Sequence, residues 1–149
     1  MKETKTIATG AHFSAVDFGP LADIQDYVLN LGPDARIPGK VFGGQAVSAT
    51  GAEFSFQSFA PGTETGFLHT HQCHEELYFF LQGQGEYQVD GQVFAIGEGS
   101  VVRVAPQGRR SVRNTGSTPL IMLCVQYRGD TFTAQDATDG IILADKVTW

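Results

Sequence analysis

Three histidines and two glutamates crowd the segment Leu68-His-Thr-His-Gln-Cys-His-Glu-Glu-Leu77. In an extended chain, side chains at i and i+2 point to one face. His69 and His71 therefore project together, as two ligands of one ion require. On a helix that spacing would not pair them. Glu76 opens an apolar run, Leu77 to Leu81, where a carboxylate is otherwise out of place. Its alternation partners are Tyr78 and Phe80. If that face is interior, Glu76 is a buried acid, and a buried acid needs a cation. Two imidazoles and one carboxylate suit Fe(II), Mn, Ni or Zn, with positions left for substrate or oxygen. The plainer reading makes His69 and His71 ordinary strand histidines in a solvated groove, and spacing alone leaves both readings open. Cys73 and His74 are expected to occupy the bend between the histidine pair and Glu76, outside the ligand set.

The elements that must position these groups read as strands. Segments 41–48, 53–60, 66–71, 76–82, 86–89, 92–96, 100–105, 109–114 and 119–128 alternate or run apolar between turn signals. Asp90-Gly91 predicts a type I′ hairpin, which needs positive φ at both central residues. Pro20 to Leu31 carries apolar residues at helical spacing (Leu21, Ile24, Tyr27, Val28, Leu31) and predicts a short amphipathic helix, with 32–40 a loop. Residues 1–18 show little periodicity. So many short strands imply an all-β jelly-roll barrel. The expected organisation is one domain over 1–149: an N-terminal extension (1–40), the barrel (41–128) and a tail (129–149). Leu120 to Tyr127 is apolar on both faces and must be covered twice, by the N-terminal helix or by a second copy in a homodimer. Trp149 is expected to pack onto the barrel or a partner. Gln126, a polar end to an apolar face, is a candidate pocket residue, as is Tyr78.

Composition narrows the partners. Ten Lys+Arg against sixteen Asp+Glu give a net charge of −6 over 149 residues, which argues against nucleic acid as the main partner. The absence of a run of about 20 apolar residues argues against a membrane-spanning helix. The expectation is a soluble, cytoplasmic chain whose two cysteines, Cys73 and Cys124, are reduced.

The pattern His-X-His-X4-Glu-X6-Gly stands here as His69, His71, Glu76 and Gly83. It resembles the first motif of the cupin superfamily. Gly99 to Asn114 resembles the second motif, at the expected separation. The resemblance covers about residues 53–127. It implies a cupin-like double-stranded β-helix of six to eight strands, often dimeric, with one divalent metal inside. It leaves the reaction open, because one fold hosts many chemistries. Oxygenase or isomerase chemistry on a small acidic or sugar-like molecule is the class implied.

One departure matters. The second motif usually carries a metal-ligating histidine four residues before its asparagine, and that position is Arg110. A guanidinium stays protonated and has no acceptor atom, so it cannot ligate a metal. Two readings follow. In one, His69, His71 and Glu76 hold a metal and Arg110 orients an acidic substrate. In the other, Arg110 itself compensates Glu76 and the barrel is a metal-free ligand-binding or sensing pocket. Arg103, Arg109 and Arg113 share a parity opposite to Arg110 and are read as solvated outer-face residues.

Overall fold

The computed structural model describes residues 2–33 and 36–149. Its strands are β1 (Lys5–Gly10), β2 (Phe13–Asp17), β3 (Val28–Asn30), β4 (Arg36–Pro38), β5 (Lys40–Phe42), β6 (Ala52–Phe59), β7 (His74–Gln82), β8 (Gln84–Val89), β9 (Gln92–Gly97), β10 (Val101–Val104), β11 (Arg110–Asn114) and β12 (Leu120–Arg128). A five-stranded antiparallel sheet runs β10-β7-β12-β6-β5, and a three-stranded sheet runs β11-β8-β9. The two meet over one core that takes Phe59, Tyr78, Phe80, Leu120, Met122 and Cys124 from the larger sheet and Tyr87, Ile96 and Val112 from the smaller. The all-β expectation holds.

Alternation explains which residues turn inward. On β7, Glu76, Tyr78 and Phe80 are buried, while Leu77 and Phe79 on the other face are half-buried. On β12, Leu120, Met122 and Cys124 face the core. The outer face of β6 is covered from the N-terminal side. Phe18 packs on Phe54 and Phe56 with ring centroids 5.9 and 5.3 Å apart. Ile24 and Tyr27 are buried in the same layer.

Turn chemistry sets the register. Asp90 (φ 52°) and Gly91 (φ 84°) both have positive φ, as the type I′ hairpin requires. Gly83, between β7 and β8, has φ +87°, and a Cβ there would lie 2.4 Å from the Pro119 carbonyl oxygen. Only glycine fits. Asn114 is buried and ties the β11–β12 turn. Its Nδ2 donates to the carbonyls of Phe59 and Thr118, each at 2.8 Å, and its Oδ1 accepts from the Gly116 amide at 2.8 Å. Asn114→Ala strands those groups and is expected to cost about 2–3 kcal/mol in urea-induced unfolding; a loss below about 0.5 kcal/mol would show the turn to be held by other contacts.

Several local expectations are revised. The helix over 20–31 is a 3-10 helix at Leu21–Asp26, followed by β3. Part of the 32–40 loop forms β4, and the strand expected over 41–48 is confined to Lys40–Phe42. Segment 66–71 belongs to no strand; it touches β11 through the isolated bridge His69↔Arg110. The first 18 residues form a hairpin, β1 with β2. The tail holds only a 3-10 turn at Asp136–Thr138. Trp149 is fully exposed and does not pack on its own barrel. Among the described residues, no helix is long and apolar enough to cross a membrane.

Candidate functional site

Glu76 sits on the inner face of β7, paired with Val104 of β10 on one side and Gln126 of β12 on the other. It is 2% exposed. Arg110 opens β11 and is completely buried. The connection from β6 to β7 brings the histidines. His69 is bonded to Arg110 backbone to backbone in both directions (3.3 and 3.1 Å), and the His71 amide donates to the Pro106 carbonyl at 2.8 Å. The two imidazole rings lie 5.4 Å apart, nearly perpendicular.

The side chains converge on the Glu76 carboxylate. His71 Nε2 lies 3.1 Å from Oε1, and His69 Nε2 lies 3.7 Å from Oε2. Arg110 places Nε at 3.0 Å and Nη2 at 2.8 Å from Oε2. Arg110 Nη1 donates to the carbonyls of Pro106 (3.1 Å) and Gly108 (2.7 Å). The Tyr78 hydroxyl donates to Oε2, and Cys124 Sγ lies 3.5 Å from Oε1. Oε2 is thus taken up by Arg110 and Tyr78, and Oε1 faces His71 and Cys124.

Charge follows this geometry. Burial alone would raise the Glu76 pKa. The His69 and Tyr78 side chains and the Arg110 charge outweigh it and hold the carboxyl well below the usual range. Burial lowers the His71 pKa, against the pull of Glu76, so at neutral pH its imidazole is neutral, the form that ligates a metal. Burial raises Cys124 and Tyr78, and both stay protonated.

The donor set fits a divalent ion. His69, His71 and Glu76 each offer one ligand atom, all within 4.8 Å of one another. His71 Nε2 is buried and makes no aligned hydrogen bond, although Oε1 is 3.1 Å away. That separation is about the edge between adjacent ligands bound at about 2.1 Å.

Other expected residues fall as follows. Tyr78 and Gln126 line the same cavity, which also takes in His69, His71, Glu76 and Arg110 and has a volume of about 300 Å³. Cys73 and His74 are exposed beyond the trio. Arg103 and Arg113 face outward and pair with Glu75 and Glu86, and Arg109 is exposed. One residue escaped the sequence reading. Lys40 lines the cavity, and its Nζ donates to Gln57 Oε1 at 3.1 Å. A lysine alternating with Phe42 at a strand start was the only signal.

Residues 55–126 match the Cupin domain family. An uncharacterized protein of Methanocaldococcus jannaschii is 30% identical over 71 residues, covering 48% of this chain and 57% of that protein. An oxalate-binding protein of Thermotoga maritima is 33% identical over 72 residues, covering 48% of this chain and 59% of that one. The chain thus spans under three-fifths of the length of these curated relatives. A cupin protein of Bacteroides fragilis superposes with a TM-score of 0.66 at 29% identity, over 77% of this chain and 94% of that one. The matched segment starts inside β6 and ends inside β12, enclosing His69, His71, Glu76 and Arg110, and the chain is a small member of the cupin superfamily.

Proposed function

We propose that the barrel interior binds a small acidic molecule beside a divalent metal held by His69, His71 and Glu76. The observation that carries this reading is the face-off between His71 Nε2 and Glu76 Oε1. The buried imidazole nitrogen and the carboxylate oxygen lie 3.1 Å apart without an aligned hydrogen bond, and a cation between them would satisfy both. Arg110 fills the position of the usual fourth ligand, so it neutralises Glu76 and leaves the charge of a divalent ion uncompensated. An anionic ligand restores the balance. The similarity to a protein named for oxalate binding supports an acid.

A bound ion would supply a Lewis acid that polarises a carbonyl or carboxylate oxygen, as an isomerase needs, or open positions for oxygen, as an oxygenase needs. The chain's own groups do the rest. Arg110 and Tyr78 fix Oε2, which leaves Oε1 turned toward His71. Neutral His71 presents its lone pair. Phe67 and Met122 give the cavity apolar lining.

Elemental analysis of untagged protein prepared without chelator tests this reading. About one transition metal per chain is expected, with loss in His71→Ala. No metal after reconstitution would sink it. It would leave the second reading, a metal-free pocket in which Arg110 alone answers Glu76, which the two contacts of Nε and Nη2 with Oε2 favour.

The proposal extends to a homodimer. Leu77, Phe79, Leu123 and Val125 form an outer sheet face that stays half-buried, while Phe132, Ile141, Ile142 and Leu143 of the tail are exposed.

A further inference from the structure

Lys40 is a cation in the wrong surroundings for one. Its half-buried side chain turns toward the same cavity as Glu76 and Cys124. Its ammonium has an amide oxygen, Gln57 Oε1, as its hydrogen-bond partner. Among the described residues no carboxylate is in ion-pair contact with it. Burial lowers its pKa, the signature of an ammonium that has lost water without gaining an anion. An ammonium has three donors: Gln57 takes one, the Phe42 ring centroid lies 5.3 Å from Nζ, and neither partner is an anion.

The rest of the cavity interior carries no unbalanced positive charge. The other charged residues lining it are Glu76, Arg110 and Glu64. Glu76 and Arg110 cancel, and Glu64 is exposed at the rim. The Tyr87 hydroxyl, on a residue 1% exposed, lines the cavity without an aligned partner. Lys40 is thus a cavity-lining charge with no opposite charge in contact, and its complement is an anion.

Placement adds a length. Lys40 is on β5 and Glu76 on β7, with β6 and β12 between them. Three strand steps span about 14 Å, and the register sets Lys40 level with Phe80, four residues along β7 from Glu76, so the two residues stand at opposite corners of the sheet's inner face. The two side chains close part of that distance from opposite ends, and the remainder is cavity. At about 300 Å³ it lies at the small end of ligand sites.

We propose that Lys40 is a second anion anchor, so that the cavity takes a short dicarboxylate with one acid group on Lys40 Nζ and the other at the His69–His71–Glu76 end. This rests on the reading of the lumen as an acid-binding site and names its ligand class.

The test is calorimetric titration of the full chain, zinc-loaded and metal-free, with malonate, succinate and glutarate, using acetate as the one-ended control. The parent is expected to bind at least one diacid tenfold or more tightly than acetate. Lys40→Met should lose that margin and Lys40→Arg should recover most of it, with zinc affinity the same in all three chains. Equal diacid affinity in the parent and Lys40→Met would overturn the anchor and leave the acid-binding lumen intact. A parent that binds diacids no better than acetate would also overturn the anchor. A parent that binds neither would overturn the anchor and the acid-binding reading together.

Discussion

Glu76→Gln should lower the stability of the metal-free protein by about 3–5 kcal/mol. The amide removes the charge that answers Arg110, a guanidinium with no exposed surface. A buried charge stripped of its partner cannot recover hydration, so the whole penalty falls on the folded state. Urea unfolding of chelator-treated protein measures it, and equal midpoints for variant and parent would dismiss the Glu76–Arg110 pair as a source of stability. The loss should depend on pH with a defined sign. Although burial alone would raise it, the native pKa of Glu76 lies well below the ordinary value of 4.5. The stabilisation is therefore complete above about 4.5. It declines as the pH falls below that value, because the unfolded chain takes up the proton first. The difference between parent and variant should be level near neutrality and narrow on acidification.

Arg110→His should act in opposite directions on metal affinity and on stability. The new imidazole supplies the fourth ligand that the family motif carries, and zinc affinity should tighten at least tenfold, about 1.4 kcal/mol. The same change releases the Pro106 and Gly108 carbonyls that Nη1 now satisfies and leaves Glu76 without its cation. The metal-free variant should therefore unfold earlier than the parent, and the loaded variant should regain stability by mass action. Competition titration against a chromogenic chelator reads the affinity. An unchanged affinity would show that no ion sits among His69, His71 and Glu76.

What could be read from the residues was what depends on local period and turn type. The inward parity of Glu76 and Tyr78 follows from alternation along β7, and the Asp90-Gly91 hairpin from a backbone conformation that few residue pairs tolerate. The convergence of His69, His71 and Glu76 was legible because the motif spacing is specific. The conformation of the connection that carries the histidines was not. Residues 66–71 alternate like a strand, but the connection meets β11 through isolated bridges, His69↔Arg110 and Glu64↔Arg113. The 20–31 stretch shows the reverse error. Leu21, Ile24 and Tyr27 have helical spacing, yet Val28 to Asn30 pair with Arg36 to Pro38, and strand pairing overrides a weak local preference. Lys40 was invisible for a third reason. Its direction depends on the register that sets it opposite Gln57, and nothing within three residues encodes that register.

The three acid–imidazole partners belong to two differently anchored parts of the chain. Glu76 stands in a strand paired on both sides, whereas His69 and His71 ride on a fourteen-residue crossing between Phe59 and His74 that is held by scattered backbone bonds. An ion gripping all three would work as a rivet through that crossing. It would remove loop freedom that the peptide bonds leave in place, and the barrel mouth would stiffen at the moment its chemistry was assembled.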